Sequence, residues 1–199
     1  MSRSNFCLKK KAIPVRCTVI KVTLEQLKYP IGAFTAPFQT DKRKRADLIK
    51  TLRQAPALLK EAVSGLSETQ LDTPYRKGGW TVRQVVHHIA DSHINGYLRC
   101  KLALTEKTPL IRTFDEQKWS ELTDAKTFAP HLSIVLLEAL HQRWADLFEA
   151  LEDADFEKAY LHPDSREEIR LYHALALYVW HSKHHIAHIS SLRDRMGWK

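Results

Sequence analysis

Four histidines crowd into eight residues near the C-terminus, in the run Trp180-His181-Ser182-Lys183-His184-His185-Ile186-Ala187-His188. They make two overlapping i,i+4 pairs, His181/His185 and His184/His188. On a helix, residues four apart share a face, so either pair can present two imidazoles to one metal ion. A neutral imidazole is a good ligand for zinc or nickel. Leu171, Leu175, Tyr178, Ile189 and Met196 define an apolar stripe on that helix. At ~100° per residue, His185 lies roughly 40° and His181 roughly 80° from its centre. His188 and His184 fall further round, at roughly 100° and 140°. The expectation is that His181 and His185 turn inward as two ligands, with His184 and His188 at the edge or in solvent. A surface helix with a polar histidine face is the competing reading, and the local density of histidines weakens it.

A second source of imidazoles lies some ninety residues earlier. Thr81 followed by Gln84 is a capping box before an apolar run, the clearest helix start in the chain. Val82, Val85, Val86, Ile89 and Tyr97 form the expected buried face of a helix running to about Leu104. His87, His88 and His93 lie within it. Two helices of a bundle that each offer inward imidazoles are a standard way to build a metal site. Periodicity sends His87 to solvent, puts His88 on a flank and His93 near the centre of the face. It slightly favours His93 as the third ligand, or makes it a core histidine with a hydrogen-bond partner. Asp91 reads as a carboxylate that could orient a ligand or as an ordinary solvated charge.

The remaining elements complete a bundle. Tyr29 to Thr40 is an extended lead-in, because Pro30, Gly32 and Pro37 prevent a helix. Asp41 caps a helix over about 42–64, which Pro56 should kink or split and Gly65 should end. A helix from Ser133 to about Leu151 turns Ile134, Leu137, Leu140, Leu147 and Leu151 inward, with Trp144 in the core or along a groove. The last helix spans about Leu171 to Met196. His131 and His141 are placed on the surface, and His162 in a turn between two short extended pieces. The fold class is all-α, an antiparallel four-helix bundle. Its connections of about 16 and 28 residues exceed the usual length, and loops of that size often shape a pocket.

Bulk properties exclude several functions. With 44% hydrophobic and 27% charged residues in 199, the chain reads as one ordinary globular domain. No apolar run is long enough to span a membrane. Cys7, Cys17 and Cys100 form no CxxC pair or disulfide framework, which fits a reducing compartment. Of the net charge of +8, six positives lie in residues 1–21, which contain no Asp or Glu. The rest of the chain therefore carries only +2, so no basic face for nucleic acid is expected. Residues 1–27 are read as a basic N-terminal extension, either disordered or upstream of the true translational start, and 28–199 as the bundle domain.

Two longer blocks carry a family resemblance. Gly78-Gly79-Trp80-Thr81-Val82-Arg83-Gln84-Val85-Val86-His87-His88-Ile89-Ala90-Asp91-Ser92-His93 is the first, and Leu177 to Ile189 is the second. With Tyr29-Pro30-Ile31-Gly32, Asp72-Thr73-Pro74-Tyr75 and Tyr160-Leu161-His162-Pro163-Asp164, they resemble the YfiT group of the DinB-like four-helix metalloproteins over residues 28–198. The resemblance implies a zinc or nickel ion on His88, His181 and His185, a homodimer and a cytoplasmic location. It selects His88 over His93. An ion on three neutral ligands keeps a position open, and can lower a bound water to a pKa of about 7 or deprotonate a small thiol. The sequence has no His-Glu-x-x-His and no glycine-rich phosphate loop. Three functions follow: S-transfer of a low-molecular-weight thiol to an electrophile, as in the bacillithiol transferases this group resembles; metal-dependent hydrolysis; and metal binding or stress response without catalysis.

Overall fold

The computed structural model describes residues 22–38 and 41–198. Its elements run α1 (Leu24–Lys28), α2 (Lys42–Val63), α3 (Glu68–Leu71), α4 (Val82–Thr105), α5 (Glu116–Ser120), α6 (Thr123–Thr127) and α7 (Pro130–Glu149). A 3₁₀ turn (Asp153–Glu157), a hairpin of β1 (Ala159–Leu161) and β2 (Glu168–Arg170), and α8 (Leu171–Met196) complete the chain. The expected capping box is present at Thr81 and Gln84, and the side chain of Asp41 caps α2. α7 starts three residues earlier than its apolar period suggests, because Pro130 sits in its first turn, where a missing N–H costs nothing. Pro56 does not split α2, which continues to Val63. Gly65, with φ +73°, makes the turn that follows.

The four long helices α2, α4, α7 and α8 form the bundle, in which α2 and α4 each pack against both α7 and α8. Side-chain pairs give the sense of each packing. Arg53 meets Asp146 and Lys60 meets Glu138, so α2 and α7 run antiparallel. His87 meets Ser133 and His93 meets His141, so α4 and α7 run parallel. His88 meets His181 while Gly96 meets Tyr178, so α4 and α8 are antiparallel. Two parallel neighbours in sequence need a long return. This is why the connection from α4 to α7 is long, and it folds α5 and α6 against α4 on the way.

The N-terminal lead-in is laid along α8 in the opposite direction. Its carbonyls at Lys28, Gly32, Pro37 and Phe38 accept hydrogen bonds from His188, Trp180, His173 and Tyr172. Residues 1–21 of the expected extension lie outside the described residues, as do Gln39, Thr40 and Lys199. Residues 22–27 already belong to the fold, since Thr23 caps α1 and Lys28 ends it against α8.

Trp144 is fully buried at the bundle centre beside Tyr178, Phe148 and His93. Met196, part of the expected apolar stripe, is exposed, and Leu192 is the last inward residue of α8. Gly96 sits where α4 and α8 approach, and a Cβ there would stand 2.2 Å from the Tyr178 ring. Gly96→Ala should therefore destabilise the protein by about 1–3 kcal/mol despite the better helix propensity of alanine. Urea unfolding checks this, and an unchanged midpoint would show that the crossing is looser than described.

Candidate metal centre

Helix α4 carries its histidines through the interior because its first half is buried on every side. Residues Val82–Ala90 are all buried, by α7 and α8 on one face and by the connector with α6 on the other. His88 points at α8, with Nε2 3.2 Å from Nε2 of His181. Its ring lies 4.8 Å from that of His185, and the His181 and His185 rings are 4.5 Å apart. One ring nitrogen from each of the three lies within 4.8 Å of the others. A tetrahedral ion with Zn–N bonds of about 2.0–2.1 Å sets its ligand nitrogens about 3.3 Å apart. The 3.2 Å pair already has that spacing, and the nitrogens as a set lie within 4.8 Å, so closing on a small divalent ion draws them together by at most about 1.5 Å. His88 and His185 are buried, and His181 keeps partial exposure.

Trp80 forms one wall, its ring 4.5 Å from His88 and 6.3 Å from His185. Its indole N–H donates to Gln117 of α5, which ties the long connector to the site. Singling out histidines passes over this residue. The available signal is its position, an aromatic immediately before the helix cap that leads into His88.

A second group, His184, His185 and His188, also brings its nitrogens within 4.8 Å. Both outer members contradict the expectation of edge or solvent positions, being only 7% and 2% exposed. The lead-in covers them. Nε2 of His188 donates to the Lys28 carbonyl at 2.9 Å, and its ring stacks on Tyr75 at 4.1 Å. His184 stacks on Trp180 and meets Tyr29. With its Nε2–H committed, a neutral His188 offers only Nδ1, 3.4 Å from Nδ1 of His185. That arrangement suits a partner of His185 better than a ligand of a second ion.

Other positions are corrected by the connector and by the packing of the long helices themselves. His87, expected in solvent, is buried between the Ser133 hydroxyl at 2.8 Å and the Phe128 carbonyl at 3.1 Å. His141, expected on the surface, is 1% exposed and lies between His93 and the Leu52 carbonyl. His93 is a fully buried core histidine, 3.1 Å from His181 through Nε2. His131 is exposed as expected, and His162 lies in the turn after β1.

Comparison with known proteins identifies the family and the fold. A sequence model of the DinB superfamily matches residues 51–189. The chain belongs to the DinB superfamily. A Bacillus licheniformis relative, named as a "putative metal-dependent hydrolase", is 65% identical over 175 residues, covering 88% of this chain and 99% of its own. "Putative metal-dependent hydrolase YfiT" of Bacillus subtilis is 54% identical over 177 residues, covering 89% and 99%. A solved structure of that protein, described as "a probable metal-dependent hydrolase with an unusual four-helix bundle topology", superposes with a TM-score of 0.86 over 87% of this chain and 99% of that one.

The electrostatics of this DinB-superfamily site favour neutral imidazoles. Burial, reinforced by neighbouring imidazoles, holds His181, His185 and His93 well below the ordinary range and pushes His88 down to about 4. Burial also takes His141 to about 4, against the opposing pull of its bond to Leu52. Neutral rings keep a lone pair free at neutral pH, as metal binding requires. Asp91 is half-buried and raised to about 6, by burial and then by Asp124.

These shifts fix a pH dependence. Unfolded histidine titrates near 6.5, so below that pH the unfolded chain takes up protons that the folded interior refuses. Stability of the metal-free protein should be highest above pH ~6.5 and fall as the pH drops toward ~4, by on the order of 3 kcal/mol for a single histidine such as His141. Asp91 has the opposite slope below pH ~6, one group against several. Urea midpoints between pH 7 and 5, above most carboxylate titrations, should decline steadily; a flat profile would contradict neutral burial.

Proposed function

We propose that this DinB-superfamily protein is a metal-dependent enzyme in which His88, His181 and His185 hold one divalent ion, zinc first and nickel second. The preferred reaction is transfer of a low-molecular-weight thiol to a small electrophile. When bound, such an ion acts as a Lewis acid that stabilises an anionic nucleophile at neutral pH. The observation that carries the reading is the donor set: among the described residues, both groups able to hold an ion consist of histidines alone. A small thiol, with an ordinary pKa of about 8.5, needs far less help to ionise than water does. The protein has no thiolate of its own within the described residues, because Cys100 is buried and pushed up to about 12. The chain's part is then to hold the three rings neutral and to wall one side with Trp80.

Hydrolysis is the second reading. The names of the relatives favour it.

Metal analysis tests the ligand set: His88→Ala, His181→Ala and His185→Ala should each lose bound zinc, and an unchanged content would refute the assignment. Incubating the zinc-loaded protein with a thiol panel and a model electrophile, then with esters and amides alone, separates the reactions. Conjugation that disappears in His88→Ala supports S-transfer. Turnover without any thiol favours the hydrolase, and silence in both assays leaves a non-catalytic metal protein.

A further inference from the structure

Leu52 and Pro56 stand four residues apart in α2. Proline has no N–H, so the Leu52 carbonyl lacks its usual helical partner. That oxygen lies 2.6 Å from Nδ1 of His141. A carbonyl only accepts, so the proton sits on Nδ1, and a neutral His141 is bare at Nε2. Its Nε2 is 2.9 Å from Nδ1 of His93, which must therefore be the protonated atom there. His93 is then bare at Nε2, which lies 3.1 Å from Nδ1 of His181. The proton between these two belongs to His181, and its Nε2 is left as a lone pair facing His88.

We propose that His93 and His141 are positioning residues, forming a chain of neutral imidazoles anchored on the carbonyl that Pro56 frees and fixing His181 as its Nδ1–H tautomer. The lone pair on His181 Nε2 is thereby aimed at the ion. The reversed chain fails at its far end, where bare Nδ1 of His141 would face a carbonyl lone pair at 2.6 Å. An extra proton is equally disfavoured, since His93 and His141 are 0% and 1% exposed and are flanked by Trp144. The inference explains three features that the ligand set leaves unused: a proline inside a helix, a histidine at the core centre and another beneath it. It rests on His181 being a ligand, the reading proposed above.

The test uses the full chain with ¹⁵N-labelled histidine, zinc-loaded and metal-free. Long-range ¹H–¹⁵N spectra should show His93 and His141 as neutral Nδ1–H tautomers in both states. Nε2–H on either ring would overturn the proposal. Competition with a chromophoric chelator should show that His93→Phe and His141→Phe bind zinc about 10- to 100-fold more weakly, as expected when a ligand's orienting partner is lost. Unchanged affinity in a folded variant would overturn it. If the variants do not fold, the wild-type spectra alone decide. The two readings fail separately. Full zinc retention by His181→Ala refutes the ligand set whatever the tautomers are. Zinc loss in His181→Ala together with reversed tautomers overturns only the chain of imidazoles.

Discussion

A buried neutral imidazole has one nitrogen that donates and one that accepts, and His87, His93, His141 and His188 are each placed to meet that requirement. His87 meets it with a serine hydroxyl and a carbonyl. His188 meets it with the Lys28 carbonyl and His185. His93 and His141 meet it with each other, His181 and Leu52. Each series reaches a main-chain carbonyl, a group that cannot donate, and such an endpoint orients every ring before it. The nitrogens of His88, His181 and His185 that converge on one another are those an ion would complete.

The topology makes these endpoints available. Because α4 runs parallel to α7 and antiparallel to α8, His93 can reach His141 on one neighbour and His181 on the other. The long return that this arrangement needs also buries His87 and ties Trp80 to Gln117. The lead-in supplies its free carbonyls to α8 for a related reason: extended by Pro30, Gly32 and Pro37, it has no helical use for them. A proline in α2 and prolines in the lead-in thus have one effect, exposing main-chain oxygen to side-chain donors.

Local signals were sufficient for the long elements. The capping box at Thr81, the cap at Asp41 and the apolar periods placed all four long helices and the hairpin between the last two. The inward turn of His185 follows from the same periods, whereas His88 was preferred to His93 only through the family blocks, periodicity having put it on a flank. His141 shares the apolar period of Ile134, Leu137, Trp144 and Phe148 on α7, so its burial was legible and its surface assignment was a misreading. The burial of His87, His184 and His188 was not legible, and the reason is common to them. A helical wheel assigns one face to the core, whereas α4 and α8 are covered on further faces by the connector and the lead-in. Irregular segments have no period, so what they cover cannot be read from one. Pro56 was legible as a disturbance of α2, but its consequence depends on which side chain reaches the freed carbonyl, and that is tertiary information.

The proposed site is also defined by what it lacks. Three neutral donors leave the charge of a divalent ion uncompensated in surroundings of low polarity, beside Trp80 and above the Trp144 core. Within the described chain no carboxylate joins the donor group, and Cys100 is buried with its thiol held protonated. The compensating anion must therefore come from outside the donor group. A site whose ion keeps its full double charge favours small molecules able to ionise on arrival. A thiol meets that condition near neutral pH with the least assistance, which is the physical basis for preferring it as the first substrate.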